Sequence, residues 1–506
     1  MADVKEIIID RWDGGMKEQV RNLPNGYFKY LENLSVGKDG STIGHNFVAT
    51  KDDGGYGGTP DYRSLRRILE VNGLFLALGN DGGTDTSIWQ KDGAAWTSQT
   101  ITANYAIDHR DNPFFVYDAG YILFHNNEKI GLYKVSDKSN NGDFLSLAGG
   151  LWGGVMWQGN AYGWNGQKVY KIDVGDYAGS QSITEMVEIP SDQEIVELLP
   201  YGNDLMAIIC TSTTNESLMY IWDGVTTTTF YDIINIGRGT VSGGAVLEGI
   251  ITVIMESSSE LLIKQYDQVV LKTVHTLDVS ADVSGDTEMA LYRTRAYNGF
   301  IYILGIVTRP DGAGSTGEPV MYRYGRKDIT KPMSFCVYKY FDYIQTDPNN
   351  VMVDLLMHES VVSGVDSVPS YFALVTEDDA GDDDATVEEI QTSAGKTVNV
   401  QVGIIETGIY TLDASILKAL SKVNIQLSAL PAAGKVIVKY KKDADATWTT
   451  IATNAVDDTI SHVSVNIEST GVNLPEFREI AFRIELSGGA EMTAFKAKYE
   501  EKDGNR

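Results

Sequence analysis

A two-part pattern recurs from about residue 65 to about residue 390, and it limits the possible fold more than any other feature of the chain. The first part is an apolar alternation broken by a Gly or Asn turn, as in residues 69–76, LEVNGLFL. The second part is a short strand-like stretch with an aromatic residue and an acidic turn, as in residues 219–224, MYIWDG. Alternation with a period of two indicates half-buried β-strands, and Gly and Asn indicate the tight turns between them.

The spacing of the pattern indicates which kind of repeat it is. Successive copies lie about 40–50 residues apart and hold three or four strands each, which is typical of β-propeller blades. A single blade cannot bury both of its faces, whereas blades stacked around an axis cover one another. The sequence therefore predicts a propeller of six or seven degenerate blades over residues 61–395. The apolar hairpin would form the inner strands, and the aromatic and acidic strand would lie further out.

The segments on either side of the repeats differ from them. Residues 1–60 predict an N-terminal arm together with strands that help to close the propeller. From about residue 396 the alternating runs lengthen, as in KVIVKY at residues 435–440, and they predict a jelly-roll-like β-sandwich over residues 396–500. Residues 501–506 predict a polar tail. One short helix is expected over residues 413–420, with Asp413 as its cap. The predicted fold class is thus all-β, a β-propeller followed by a C-terminal β-sandwich.

Charge and hydropathy exclude several classes of partner. The formal net charge is -28, which opposes nucleic-acid binding because such binding needs clustered Lys and Arg. Anionic membrane surfaces are unfavourable partners for the same reason. No apolar stretch approaches the roughly 18 residues of a transmembrane helix, and the first residues lack the apolar region of a signal peptide. The two cysteines, Cys210 and Cys336, lie in apolar strand-like runs and predict buried free thiols.

The sequence lacks the common motifs for structural metals and for cofactors. The six histidines have no metal-ligand spacing and no cysteine pair accompanies them, so a structural zinc site is not expected. The chain has no Walker A loop, G-x-S-x-G elbow or H-E-x-x-H motif, and we expect no cofactor. Residues 377–384, EDDAGDDD, offer oxygen ligands that suit Ca²⁺. A solvated acidic loop is the alternative interpretation of the same residues.

Two sequence features bear on an enzymatic role. Propellers include sialidases, which need an arginine cluster, and Arg293 and Arg295 lie in one strand and would face the same side. The Asp-box turn of sialidases is approached by DGAAW at residues 92–96, which is one residue too short. We expect the protein not to be an enzyme, with a sialidase-like glycosidase as the weaker alternative. That alternative requires an arginine cluster and paired carboxylates at one mouth of the propeller.

Aromatic residues recur at one place in the repeat. They have two interpretations, packing between blades or a face that stacks on sugars and binds a partner. Because they occur in nearly every module, packing is the favoured interpretation. The residues are Trp89, Tyr133, Tyr170, Trp222, Tyr266 and Tyr322.

Three features taken together resemble the virion structural proteins of tailed bacteriophages, found in the tail or at its tip. They are WDGGM at residues 12–16 followed by KYLEN at 29–33, the degenerate propeller, and the terminal sandwich with ALP at 429–431, KVIVKYKKD at 435–443, Trp448 and FREIAF at 477–482.

The resemblance implies a non-enzymatic structural component of the virion, made in the host cytoplasm. Its partners would be other virion proteins and copies of itself in a symmetric ring, and the arm would clasp a neighbouring subunit. The candidate contact residues are Trp12, Met16, Tyr27 and Phe28. The alternative interpretation is a glycan-binding propeller that recognises a receptor on the host surface.

Overall fold

The described residues of the computed structural model form β-strands joined by turns, and they contain no helix. They are 4–11, 15–16, 21–25, 27–32, 34–36, 42–44, 48–51, 64–80, 85–92, 95–104, 114–118, 120–126, 129–174, 181–202, 204–225, 229–257, 260–278, 288–297, 299–310, 315–326, 333–338, 350–360, 368–377, 386–391, 402–427, 434–455, 462–466, 475–487 and 490–502. A helix suited to crossing a bilayer is accordingly not found in these ranges.

Short strands precede the repeats. They are β1 (Val4–Ile9), β2 (Gly15–Met16), β3 (Tyr27–Phe28), β4 (Tyr30–Glu32), β5 (Leu34–Val36), β6 (Thr42–Gly44) and β7 (Val48–Lys51).

The repeats fold into antiparallel sheets of four strands, which we number as blades 1 to 7. Blade 1 holds β8 (Ser64–Val71), β9 (Leu74–Asn80), β10 (Asp85–Asp92) and β11 (Ala95–Asn104). Blade 2 holds β12 (Phe114–Asp118), β13 (Tyr121–Asn126), β14 (Lys129–Lys134) and β15 (Ser139–Ser146). Blade 3 holds β16 (Gly153–Trp157), β17 (Asn160–Asn165), β18 (Lys168–Asp173) and β19 (Ser182–Glu188).

The later blades repeat this order. Blade 4 holds β20 (Glu194–Tyr201), β21 (Leu205–Thr211), β22 (Ser217–Trp222) and β23 (Asp232–Gly237). Blade 5 holds β24 (Thr240–Leu247), β25 (Ile250–Ser257), β26 (Glu260–Tyr266) and β27 (Leu271–Asp278). Blade 6 holds β28 (Glu288–Tyr297), β29 (Phe300–Pro310), β30 (Ser315–Gly325) and β31 (Ser334–Tyr338). Blade 7 holds β32 (Asn350–Ser360), β33 (Val368–Glu377) and β34 (Thr386–Gln391).

The last blade is completed by the N-terminal segment. Strand β7 pairs antiparallel with β34, with Thr50 opposite Glu389, and supplies the fourth strand of blade 7. A strand that precedes the repeats thus completes the blade that ends them. This pairing holds the first and last blades of the propeller together. The predicted all-β propeller is confirmed, and the described strands give it seven blades.

The sequence after the repeats forms a second two-sheet unit. Its strands are β35 (Val402–Glu406), β36 (Lys418–Leu427), β37 (Lys435–Lys442), β38 (Thr449–Ala455), β39 (His462–Asn466), β40 (Glu476–Phe477), β41 (Ile480–Ser487) and β42 (Glu491–Glu501).

N-terminal strands complete both sheets of this sandwich. One sheet runs β39-β36-β42-β6-β5, with β1 also on β42 and β40 on β36, and the other runs β4-β35-β41-β37-β38. Phe482 and Phe495 meet between the sheets with their ring centroids 5.0 Å apart. The sandwich therefore includes β1 and β4–β6 as well as residues beyond 396. Residue 501 lies within β42 rather than in a tail, and residues 503–506 are outside the described ranges.

The propeller and the sandwich share a core. Strand β31 of blade 6 pairs in parallel with β4 through Val337 and Glu32, so one sheet continues from blade 6 into the sandwich. The Cys336 thiol lies against the backbone carbonyl of Leu31. Cys336 and Cys210 are both buried free thiols, as predicted.

The recurrent aromatic residues pack between blades. Trp222 of blade 4 is fully buried, and its ring centroid lies 6.2 Å from that of Trp157 in blade 3. Trp89, Tyr133 and Tyr322 are likewise buried. Inter-blade packing is therefore the correct interpretation for these positions.

The short helix expected over residues 413–420 is wrong. Asp413 adopts a positive φ of 70° and caps a turn, with its carboxylate accepting a hydrogen bond of 3.0 Å from the amide of Ser415. The buried Lys418 ammonium then donates to the carbonyl oxygens of Asp413 (2.5 Å) and Ile416 (3.0 Å). The ammonium group competes with backbone amides for these carbonyl oxygens, and this competition disfavours a helix.

Candidate functional site

The first strands of the blades surround the centre of the propeller. Strand β20 contacts β24, β24 contacts β28, β28 contacts β32, and β32 contacts β8 of blade 1. Six of these inner strands, all but β16 of blade 3, share an irregularity, because the pairing of each with the second strand of its blade shifts register by one residue. Such β-bulges redirect the side chain that follows them and occur next to functional sites. The shifts lie before Arg67, Asp118, Glu197, Gly243, Arg293 and Asp354.

The bulge in blade 7 directs Asp354 into a fully buried position. Its Oδ1 accepts hydrogen bonds from Nε (3.1 Å) and Nη2 (2.8 Å) of Arg295 in blade 6. Its Oδ2 accepts one from the backbone amide of Ile68 in blade 1, at 3.0 Å. One carboxylate thus bridges blades 6, 7 and 1.

Two further arginines approach the same carboxylate. Arg67 Nε lies 3.5 Å from Asp354 Oδ2, and Arg293 Nε lies 3.9 Å from Oδ1. We call Arg67, Arg293 and Arg295 the arginine cluster. Their side chains are 14%, 10% and 19% exposed, whereas Asp354 is 0% exposed. The three arginine side chains are therefore largely buried around the aspartate.

Glu197 of blade 4 is a second carboxylate near the cluster. Its Oε2 accepts a hydrogen bond of 3.0 Å from the backbone amide of Gly244 in blade 5. Burial raises the pKa of Glu197 to about 7, although the Gly244 amide and the charge of Arg293 act in the opposite direction. A carboxyl group with this pKa is partly protonated at neutral pH, so it balances the arginines only in part.

The sequence predicted part of this arrangement. Arg293 and Arg295 face the same side of their strand, as expected, and both approach Asp354. Arg67, Glu197 and Asp354 were not singled out. The sequence does carry a repeated feature at these residues. Each charged residue stands two positions after an apolar residue (Leu65, Ile195 or Met352) in the inner strand of its blade.

A second candidate site lies at the outer strands of blades 4 and 5 and the turns that precede them. It is an exposed apolar area, which we call the blade 4–5 patch, and β23 and β27 contact each other there. Single exposed apolar residues are ordinary, but a group on adjoining strands and turns marks a contact surface. The patch consists of Val225 (77% exposed), Tyr231 (79%), Ile233 (55%), Val269 (86%), Val270 (43%) and Val274 (43%).

A pocket of about 420 Å³ opens beside this patch. Turns of both blades form its walls, and three tyrosines dominate the lining. The Tyr266 hydroxyl donates a hydrogen bond of 2.9 Å to Asp232, and burial raises the pKa of Tyr266 to about 12. The buried Tyr201 hydroxyl has no hydrogen-bond partner in the described part of the chain. The lining residues are Tyr201, Gly202, Asp204, Leu205, Ile221, Tyr231, Gly249, Tyr266 and Gln268.

The predicted contact residues of the N-terminal segment lie in different environments. Met16 (5% exposed) and Phe28 (1%) are buried in the core shared by the propeller and the sandwich. Tyr27 is half-buried. Trp12 lies outside the described residues. Met16 and Phe28 are thus covered by their own chain, because β2 and β3 pair with each other and β2 contacts β31.

The acidic stretch at residues 377–384 is described only at Glu377, where β33 ends, so its predicted role lies outside the described residues. Within the described ranges, no three His, Cys, Asp or Glu side chains come together as metal ligands would.

No protein-family model matches the chain, and no curated protein sequence matches it. Among solved structures, it is similar to the N-terminal domain of Nup159, with 7% identity, a TM-score of 0.36, and coverage of 60% of this chain and 83% of that one.

Two further solved structures show similarity of the same order. One is of S. cerevisiae Dbp5 bound to Nup159 and Gle1, with 8% identity, a TM-score of 0.40, and coverage of 75% and 100%. The other is prolyl oligopeptidase B from Galerina marginata, with 10% identity, a TM-score of 0.37, and coverage of 69% and 55%. The assignment of a β-propeller rests on the sheets of this chain itself.

Proposed function

We propose that the protein is a non-enzymatic structural subunit of a tailed-phage virion, present in several copies that contact one another around a ring. The observation that carries the proposal is the blade 4–5 patch. An apolar surface of this kind at the outer edge of two blades suits a contact with another protein subunit, since burying it removes apolar area from water.

A second copy of this chain is the neighbour that the surface chemistry favours. Among the described residues, a further exposed large apolar residue is Ile8 (41% exposed), on strand β1 of the sandwich. A contact between an apolar residue of one copy and a pocket elsewhere on the next copy is heterologous, and heterologous contacts form a ring when the rotation between copies closes. Ile8 and the pocket beside the blade 4–5 patch meet this requirement.

The charges beside the two surfaces are complementary. Asp223 and Asp232 lie beside the blade 4–5 patch. Lys496 is directly opposite Ile8 in the pairing of β1 with β42, and on the same face Lys498 pairs with Glu6 at 2.8 Å, so the surroundings of Ile8 carry an excess of one positive charge. Complementary charges at a rim orient two surfaces and suppress wrong partners, which matters for a chain with a net charge of -28.

Native mass spectrometry of the full chain tests the contact. We expect closed oligomers for the wild type, and monomers for Ile8→Asp and for Val269→Asp. Thr273→Asp is the matched control, because Thr273 is exposed on β27 outside the patch, and it should leave the oligomer intact.

Mass spectrometry of purified phage particles tests the location. Absence of this chain from particles would refute the virion role even if the chain forms oligomers.

A glycan-binding protein is the second candidate, and the three tyrosines of the pocket favour it. Aromatic rings with polar neighbours such as Asp204 and Gln268 suit a sugar, which presents an apolar face and a rim of hydroxyl groups. A glycan array separates the two functions. Binding that is lost in Tyr231→Ser but kept in Val225→Ser would support the glycan site. No binder above background would exclude it.

A further inference from the structure

The pocket beside the blade 4–5 patch combines aromatic rings with acidic charge. Tyr201, Tyr231 and Tyr266 line it, together with Asp204. Among the described residues of the lining, none is a lysine, an arginine or a histidine. The pocket therefore offers electron-rich rings and a carboxylate, in a chain whose net charge is -28, and its described lining supplies no cation to balance them.

A second carboxylate lies directly against this lining. Asp232 accepts a hydrogen bond of 2.9 Å from the Tyr266 hydroxyl and one of 2.8 Å from the amide of Ile233. These two bonds fix the carboxylate beside the Tyr266 ring. Burial is the largest cause of the raised pKa of Tyr266, and the neighbouring Tyr201 and Tyr231 act in the same direction. The three tyrosines thus lie within electrostatic range of one another, next to Asp232.

The backbone leaves space at the pocket. Gly202 and Gly249 lie in the hairpin turns that follow β20 and β24, with φ angles of 62° and 78°. Positive φ angles of this kind are readily adopted by glycine. A Cβ added to either glycine would meet no atom within 4 Å. The volume of about 420 Å³ is within the range of small-ligand sites.

The charge of the lining decides which kind of ligand suits it. An ammonium group close to a tyrosine ring is attracted by the negative face of the ring, and nearby carboxylates add to the attraction. An anion would be repelled by Asp204 and Asp232. A neutral sugar stacks on the same rings but gains nothing from the net negative charge. Positive charge on the ligand is therefore the property to test.

We propose that this pocket binds an alkylammonium group, with its methylene or methyl groups against the three tyrosines and its positive charge balanced by Asp204 and Asp232. This ligand chemistry has two sources, a lysine side chain of another protein chain or a free organic cation of the choline type.

The first source rests on the ring contact proposed above. Lys496 is exposed, stands directly opposite Ile8, and forms no ion pair with the described residues. A neighbouring copy that packs Ile8 at the apolar rim of the pocket would bring the Lys496 ammonium to the same place. The lysine would then contribute charge complementarity to a contact in which Ile8 contributes apolar area.

Nuclear magnetic resonance titration of the full chain with choline measures the binding directly. The chain carries Ile8→Asp, which leaves the pocket uncovered whether or not the wild type forms rings. The matched ligand is 3,3-dimethylbutan-1-ol, which has the shape of choline with a carbon atom in place of the charged nitrogen. We expect saturable binding of one choline per chain, at least about fivefold tighter than binding of the neutral alcohol.

Two variants test the residues. Tyr231→Leu and Asp204→Asn should each weaken choline binding by about fivefold, because one removes a ring and the other a charge. Both positions are exposed, so the fold should be retained, and circular dichroism checks this. Asp445→Asn, in an exposed turn of the sandwich, should leave the affinity unchanged. Equal affinities for choline and the neutral alcohol, or unchanged choline binding in both pocket variants, would overturn the proposal.

Native mass spectrometry distinguishes the two sources. Lys496→Gln should reduce the oligomers if the ammonium comes from the neighbouring copy, whereas Lys502→Gln should not, because Lys502 already pairs with Glu476. Oligomers that survive Lys496→Gln would identify a free organic cation as the ligand. A chain that forms no oligomers but binds choline through Tyr231 and Asp204 would refute the ring and support the pocket.

Discussion

The carboxylate of Asp354 on β32 receives a two-donor fork from Arg295 on β28, at 2.8 and 3.1 Å, while its other oxygen binds the backbone amide of Ile68. This carboxylate therefore joins the blade that ends the repeats to its two neighbours. A buried ion pair adds little net stability, but removing one partner leaves an uncompensated buried charge.

We expect Asp354→Asn to destabilise the protein by about 3–5 kcal/mol, because three arginines lose their nearest anion. Denaturant unfolding monitored by tryptophan fluorescence measures the change in midpoint. Asp445→Asn is the control, since Asp445 is exposed in the turn after β37 and should change the midpoint little. Equal midpoints for the two variants would show that Asp354 does not hold the blades together.

Glu197 should make the protein more stable at mildly acidic pH. Its pKa is about 7 in the folded chain against 4.5 for an ordinary Glu, so the folded state binds the proton more tightly. This contribution is fully present below pH 4.5 and is lost as the pH rises through 7. Its size is at most about 3 kcal/mol, and less to the extent that the side chain reaches solvent.

Thermal unfolding between pH 5 and pH 8 measures this dependence. Glu197→Gln should remove the change in stability that Glu197 causes between pH 5 and pH 8. Glutamine keeps the acceptor for the Gly244 amide but cannot titrate. A wild type and a variant with parallel pH profiles would contradict the assignment.

His275 should act in the opposite direction. Its imidazole stacks on Phe335 with ring centroids 4.5 Å apart, and burial lowers its pKa to about 4 from 6.5. The unfolded chain therefore takes up this proton first, and stability falls as the pH drops from about 6.5 to about 4. The loss is at most about 3 kcal/mol.

His275→Phe keeps an aromatic ring against Phe335 and removes the titrating group. The variant should lose less stability than the wild type between pH 6.5 and pH 4 in the same thermal unfolding experiment. A steeper loss in the variant would mean that His275 is not the group that responds.

Lys418 determines the conformation of the turn before β36. Its buried ammonium donates to carbonyl oxygens of Asp413, Ile416 and Arg478. Lys418→Met should cost about 2–4 kcal/mol, since more than one buried carbonyl loses its donor. Lys422→Met, a partly exposed position on the same strand, is the control and should cost much less. Denaturant midpoints decide between them.

The repeat could be predicted from the sequence because its signal is local. Alternation and turn residues within about 40 residues determine each blade, so residues 69–76 already indicate β8 and β9. The helix over residues 413–420 failed for the opposite reason. Its outcome depends on Lys418 meeting a carbonyl of Arg478, some 60 residues away in sequence, and helix propensity does not record such contacts.

The arginine cluster was only partly foreseen for the same reason. Arg293 and Arg295 are neighbours in one strand, so their common side follows from a period of two. Arg67 and Asp354 come from strands nearly 300 residues apart, and bulges that the alternation does not show bring them together. Likewise, the burial of Met16 and Phe28 depends on strands formed late in the chain.

The order of synthesis affects when the early strands β7 and β1 can pair. Strand β7 leaves the ribosome long before its partner β34, and β1 leaves it long before its partner β42. The seventh blade cannot be completed until β34 has been synthesised, and the sandwich cannot be completed until β42 has been synthesised. Contacts so distant in sequence slow folding, and unpaired strands invite association with other chains. We therefore expect a nascent chain that needs protection from aggregation until its early strands β7 and β1 find their late partners.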